Sequence, residues 1–295
     1  MDHRDEIRDF LASRRARITP ERAGLPAYGV NRRVPGLRRE EVAMLAGVSV
    51  DYYIRLERGN LAGVSESVLD ALAGALQLDE AERTHLYDLA RAAATTPARA
   101  RRRPATPARV RPSVQAMLDA MTGAPAVVRN DRLDILATNR LGRALYAPVF
   151  ADPTRPANNA RFTFLDPAAR VYWDDWHRAA DDTVGILRGL AGRNPYDKGL
   201  TDLVGELSTR SEEFRTRWAA HDVRLHRTGR KVVNHPVVGR LELIYDVLQL
   251  PADPGLTLLV YTAEAGSPTA DALTLLATWA ATLDSEAAPE PSPAD

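Results

Sequence analysis

Apolar positions recur at helical spacing through the first third of the chain and alternate residue by residue near its end, so two different folds are predicted. Residues 4–17 read as a charged helix with Ile7, Phe10 and Leu11 on one face, followed by the proline- and glycine-rich loop ITPERAGLPAYGVNRRVPG. A second helix is expected from about Leu37 to Ala46, broken by Gly47. A third runs from its N-cap Ser49 to Gly59. Ser65 caps a fourth, carrying Val68, Leu69, Leu72 and Leu76 at helical spacing. The fifth opens at Asp79, where Glu82 completes a capping box and Leu86 and Leu89 face inward. Short helices joined by tight turns predict a small all-α domain.

The second block, 113–284, mixes types. SVQAMLDAMTG is helical, and AVVRNDRLDILAT reads as two strands around an Asn-Asp turn. A helical middle over roughly 167–221 precedes three further strands, RKVVNHPVV, RLELIYDVLQL and LTLLVYTAE, the last two joined through a DPG turn. A helix from about Thr269 to Leu283 closes the block. Strands at both ends with helices between predict an α+β fold with an antiparallel sheet. Between the blocks, residues 95–112 hold four prolines and six arginines and read as an extended linker. The tail from Ser285 reads as disordered. The expected domains are therefore 1–94 and 113–284, with a linker at 95–112 and a tail at 285–295.

On a helical wheel Ser49, Tyr53 and Leu56 share one face, with Tyr52 at its border. Val42, Ala43 and Ala46 share a face of the preceding helix, and Val48 plugs the turn. These positions bury against each other only if the two helices meet steeply around Gly47, which is helix-turn-helix geometry. A bulky residue at Ala43, or a Cβ at Gly47, is expected to clash there. The opposite face presents Asp51, Arg55 and Arg58, flanked by Val50 and Ile54. Arg55 stands where a major-groove helix would place a base-reading side chain, and arginine to guanine is the commonest specific contact. Val50 suits a thymine methyl. Asp51 either accepts from a cytosine amine or complements the helix dipole. Tyr52 either reaches a phosphate or packs.

Charge sharpens this picture. Net charge is zero, yet residues 1–60 hold 12 Arg against 9 acids, and 97–112 hold 6 Arg and no acid. A neutral protein with a basic N-terminal face and a basic linker suits nucleic acid at those parts. The linker arginines either touch DNA or only solubilise. With 45% hydrophobic and 26% charged residues the composition is that of an ordinary globular protein. No cysteine is present, which excludes disulfides, thiolate catalysis and cysteine-based zinc sites. No apolar run reaches the length of a membrane span and the acidic start is no signal peptide, so no membrane partner and a cytoplasmic, nucleoid-associated location are expected.

REEVAMLAGVSVDYYIRLERG resembles the helix-turn-helix of the XRE (lambda repressor-like) family, with Ala43, Gly47, Ser49 and Glu57 in place. The insert LPAYGVNRRVPGLRREEVA, and RPSVQAMLDAM, SEEFRTRWAAHDVR and HPVVGRLELIYDVLQLPADPGLTLLVYTAEAGSP beyond the linker, resemble the MmyB-like transcription regulators of actinobacteria. That resemblance implies a PAS-like C-terminal ligand-binding domain. It also places Arg39 where relatives contact phosphate, and Val50, Asp51 and Arg55 at base-contacting positions. Glu57 resembles a family glutamate that pairs with a first-helix arginine, here Arg14 or Arg15. The expected DNA-binding set is Arg38, Arg39, Ser49, Val50, Asp51, Tyr52, Arg55 and Arg58. Arg32 and Arg33 either add phosphate contacts or are solvated.

The second block carries no nucleophile elbow, dinucleotide fingerprint or phosphate-binding loop, so no enzyme is expected. His177, His221, His226 and His235 fit no metal-site spacing. The paired acids Asp174/Asp175 and Asp181/Asp182 read as a solvated face. Its aromatic residues mostly suit a core. The MmyB-like resemblance implies an apolar or fatty-acid-like ligand, with Trp176, Phe214, Trp218, Tyr245 and Tyr261 as lining candidates. Arg188 or Arg224 would then anchor a carboxylate. The expected molecule is a regulator that binds a DNA operator as a homodimer, tuned by that small-molecule ligand and with no resident cofactor. The alternatives are a second domain that only dimerises or binds protein, or an enzyme domain tethered to a DNA binder.

Overall fold

The computed structural model describes residues 3–25, 34–95, 109–152 and 156–287. Most of the expected linker, the loop arginines Arg32 and Arg33, and the tail beyond residue 287 lie outside them. The chain forms two compact units, residues 1–103 with 184–225, and residues 104–183 with 226–295.

In the first unit every expected N-terminal helix is present: α1 (His3–Arg17), α2 (Arg39–Leu45), α3 (Val50–Glu57), α4 (Glu66–Ala75) and α5 (Glu80–Ala93). Local chemistry sets their starts. Ser49 Oγ accepts from Tyr52 N–H at 3.2 Å, and Asp79 and Glu82 exchange side-chain-to-backbone bonds at 2.8 and 3.2 Å. Helix α2 begins at Arg39 rather than Leu37 because Arg38 is extended (φ −78°, ψ 160°) and its N–H donates to Glu41 Oε2 at 2.6 Å. Ile7, Phe10, Leu11, Val42, Tyr53 and Leu56 are fully buried in one core.

Residues 184–225 add the second half of α10 (Trp176–Arg193), α11 (Lys198–Arg210) and α12 (Glu212–Ala219) to this unit. Leu200, Leu203, Val204 and Leu207 make one buried stripe on α11. Gly192 of α10 lies against the His85 ring, where a Cβ would stand 2.4 Å from it. Only glycine permits that approach.

The second unit is built on a five-stranded antiparallel sheet in the order β2-β1-β5-β4-β3. Its strands are β1 (Ala126–Asn130), β2 (Ile135–Thr138), β3 (Thr228–His235), β4 (Gly239–Gln249) and β5 (Leu256–Thr262). All five fall on strands expected from the sequence. Asn130 Oδ1 accepts from the N–H groups of Arg132 and Asp134 at 2.9 and 3.0 Å and so closes the first hairpin. Between β4 and β5 Gly255 takes φ +90°, as a tight turn requires. Helix α6 (Pro112–Ala120) covers one sheet face with Val114 and Leu118 against Val128 and Leu258.

The other face packs on α7 (Arg140–Leu145), α8 (Asn159–Leu165), α9 (Ala169–Tyr172) and α13 (Pro268–Ala287). Helices α7 and α8 were not expected from the pattern. They are six and seven residues long, too short for helical periodicity, and are started by side-chain caps from Asn139 and Asn158.

Candidate DNA-reading and ligand-binding sites

Helices α2 and α3 meet across Gly47, whose φ is +64°. Val48 N–H donates to Ala43 O at 2.9 Å and Gly47 N–H to Met44 O at 3.1 Å, closing α2 before Ser49 opens α3. A Cβ on Gly47 would meet nothing within 4 Å, so the turn needs glycine for its backbone conformation and not for close packing. That corrects the expected clash. Ala43 is fully buried, as expected.

Outward from this core, Arg38, Arg39, Ser49, Val50, Asp51, Arg55 and Arg58 are exposed, and Tyr52 is half-buried. All the expected DNA-binding residues therefore reach the surface, Tyr52 only in part. Arg55 stacks its guanidinium on the Tyr52 ring at 4.7 Å. Val50 is 41% exposed, which leaves its methyl groups on the outer face. Glu57 is buried behind α3. Arg15 Nε donates to its Oε1 at 2.7 Å, and Arg39 Nε donates to its Oε2. Arg15 is thus the first-helix partner. Arg14 pairs with Glu82 at 2.9 Å instead. Arg39 keeps 55% of its side chain exposed while bonded to Glu57, whose carboxylate pushes the guanidinium pKa up.

The ligand candidates of the sequence fall in both units. Arg188, Phe214, Trp218 and Arg224 belong to the first, and Trp176, Tyr245 and Tyr261 to the second. Arg188 is fully buried and pairs with Glu6 of α1. It also donates to Trp218 O, and its guanidinium lies 4.1 Å from the Trp218 ring centroid, with Phe214 stacked beyond at 5.5 Å. His85 Nε2 and His221 Nδ1 each stand 3.7 Å from Glu6 Oε1. Burial raises the Glu6 carboxyl, but the two histidines and Arg188 outweigh it and hold the group far below 4.5. Arg224 is exposed and runs past Gly185, where a Cβ would meet its side chain at 2.9 Å.

In the second unit the inward sheet face is apolar and aromatic. It carries Val127, Leu259, Tyr261, Leu243, Tyr245 and Val233. Two cations share the same side by strand alternation: Arg129, two residues on from Val127, and Lys231, two before Val233. No carboxylate of the described residues pairs with either at ion-pair distance. Arg129 Nη2 bonds His226 Nδ1 at 3.1 Å, and the His226 ring stacks on Tyr245 at 4.3 Å. Lys231 Nζ lies 4.7 Å from the Trp173 ring and 5.8 Å from Tyr245. Burial, and next the Arg129 charge, lower the Lys231 ammonium from 10.5 to about 8. The hydroxyls of Tyr146 and Tyr261 bond to each other, while Trp176 Nε1 donates to Thr163 O at 2.9 Å.

Arg129, Lys231 and Glu6 were missed in the sequence. The first two were legible as charges on the apolar side of alternating strands. Nothing local marks Glu6, whose partner is distant in the chain. Like His226, His235 acts within the packing, where it bonds Ala144 O at 3.0 Å, whereas His177 is exposed.

A helix-turn-helix family model matches residues 6–86, and the model described as the MmyB-like transcription regulator ligand binding domain matches residues 110–276. Compared with curated proteins, the chain finds no significant match. The second family match runs through both compact units, since it includes residues 184–225. Both families are binding domains rather than enzymes. On these two matches the chain belongs to the MmyB-like transcription regulators, DNA-binding helix-turn-helix proteins with a ligand-binding domain.

Proposed function

We propose that the protein binds a roughly palindromic operator as a homodimer, with α3 in the major groove. Its second unit holds a small apolar, acid-headed ligand of fatty-acid type that alters DNA affinity. The ligand reading is carried by one observation: Arg129 and Lys231 share an apolar sheet face with no carboxylate of the described residues at ion-pair distance, Asp131 and Asp182 acting on them only from farther off. Arg129 is buried and Lys231 half-buried, and cations drawn out of water without a close counter-ion are costly, a cost that an acidic ligand head reduces. Tyr245, Tyr261 and Trp173 supply the apolar wall around them. Exposed Arg55, Val50 and Asp51 support base reading, with Arg38, Arg39, Ser49, Tyr52 and Arg58 as flanking phosphate or sugar contacts. A dimer would then span half-sites about 34 Å apart. Control of DNA affinity requires that the ligand favour one dimer geometry over another.

Native mass spectrometry of the full chain against its denatured mass tests this reading. A dimer carrying an excess mass, lost on denaturation and absent from Arg129→Ala/Lys231→Met protein, is the expected result. A dimer without excess mass, unresponsive to added fatty acid in DNA binding, would leave a second unit that only dimerises or docks protein.

A further inference from the structure

Of the 39 lysines and arginines in the chain only Lys198 and Lys231 are lysines, and the two stand in opposite surroundings. Lys198 is exposed and its Nζ pairs with Asp202 at 2.6 Å. Lys231 is half-buried on the inward side of β3, against the rings of Trp173 and Tyr245. Among the described residues its amine has neither a hydrogen bond nor an ion pair, and its nitrogen is not sealed from solvent. An arginine there would stay charged, whereas a lysine amine can lose its proton and attack carbon. The surroundings favour that loss. Arg129 lies on the same side of the sheet, His226 is kept neutral by burial, and Arg178 and Asp182 act from farther off with opposite signs. With its pKa at about 8, the amine is free in about a tenth of molecules at pH 7, against fewer than about one in a thousand for an ordinary lysine.

We propose that Lys231 is a carbonyl-capture site, forming a reversible imine with an aldehyde whose apolar body lies on the inward sheet face. The proposal rests on the reading that this face binds a ligand, but not on the ligand's acid head. The Nζ lone pair attacks the carbonyl carbon, and the C=O π pair moves to oxygen. A proton then passes from nitrogen to that oxygen. The hydroxyl leaves as water with a proton from solvent while the C=N bond forms, and the last N–H proton returns to solvent. No further reactant is needed. The Arg129 charge that disfavours the ammonium also disfavours a protonated imine, so the adduct stays neutral. Val127, Leu243, Leu259 and Tyr261 supply the apolar wall for the aldehyde's body.

The test treats the full chain with octanal at pH 7, traps imines with sodium cyanoborohydride and locates the alkylated amines by peptide mass spectrometry. Lys231 should be labelled saturably, at an octanal concentration about tenfold or more below that needed by Lys198 or by the α-amino group, whose ordinary pKa is also about 8. Propanal, too short to use the apolar wall, should need about tenfold or more higher concentration than octanal. Octanoic acid should protect Lys231. Labelling of Lys231 no stronger than that of the α-amino group, or no preference for octanal over propanal, would overturn the proposal. Octanoic acid bound in native mass spectra beside an unlabelled Lys231 would sink the imine and leave the acid-ligand reading standing. A preferred label on Lys231 that octanoic acid does not protect would support the imine and count against the acid head.

Discussion

Arg15 Nε donates to Glu57 Oε1 at 2.7 Å, tying the first helix of the helix-turn-helix bundle to the last turn of α3, the helix proposed to read DNA. The other oxygen of the same carboxylate holds Arg39, at the start of α2. One buried acid therefore fixes the relative setting of three helices. Tyr53 closes the cluster with its hydroxyl 3.5 Å from Oε1, and burial followed by the Glu57 charge pushes that phenol well above its ordinary range.

Glu57→Ala should destabilise the first unit by about 3 kcal/mol, because removing one partner leaves the other's charge without compensation. Urea unfolding followed by circular dichroism checks this. Glu57→Gln, which keeps an acceptor, should lose less. Equal stability of wild type and alanine variant would show the cluster to be energetically idle.

Arg55→Ala should cost about 1–3 kcal/mol in operator affinity, concentrated at one base pair, with stability unchanged since the side chain is exposed. Competition binding against single-position operator variants reads this directly. A loss spread evenly over all sequences would make Arg55 a phosphate contact.

Glu6 predicts an acid-sensitive first unit. Its folded pKa lies far below the ordinary 4.5, so its contribution is complete above pH 4.5 and is lost as pH falls below that value. Glu6→Gln should be less stable at pH 7 by about 3 kcal/mol, with Arg188 left buried and unpaired. The difference should shrink toward pH 3. Parallel melting curves at pH 7 and pH 3 check it, and a constant gap would count against the linkage.

Lys231 predicts a second rise of stability with pH, at the other end of the scale. Its folded pKa is lowered from 10.5 to about 8, so between those values the unfolded chain binds more protons and stability rises with pH, by about 3 kcal/mol in all. Lys231→Met should remove the rise. Affinity for an acid-headed ligand, by contrast, should fall above pH 8 as the ammonium is lost. Fatty-acid titrations at pH 7 and pH 9.5 would show it, and a flat response would place the acid head elsewhere.

Much of this was legible in the residue order. The N-terminal helices declared themselves through Ser49, Ser65 and the Asp79/Glu82 box, because caps and turns are local chemistry between residues three or four apart. The strands declared themselves through alternation, and the outward face of α3 through the helical wheel around Tyr53 and Leu56. The same local rules explain the misses. Helices α7 and α8 complete too few turns to show a period, and Gly47 answers to backbone conformation where packing was expected.

Tertiary structure alone decided which charges meet. Arg188 looked like a ligand anchor among aromatic residues, but 182 positions away in the chain stands Glu6, which takes its guanidinium. Arg14 and Arg15 are neighbours in sequence, and only the packing of α1 sends one to Glu82 and the other to Glu57. Likewise residues 184–225 read as part of the second block, yet they pack with the first unit, where Gly192 admits His85 and Val223 joins the core. Secondary structure follows from short-range sterics and hydrogen bonds, whereas ion-pair partners and cavity walls depend on chain segments that only folding brings within a few ångströms.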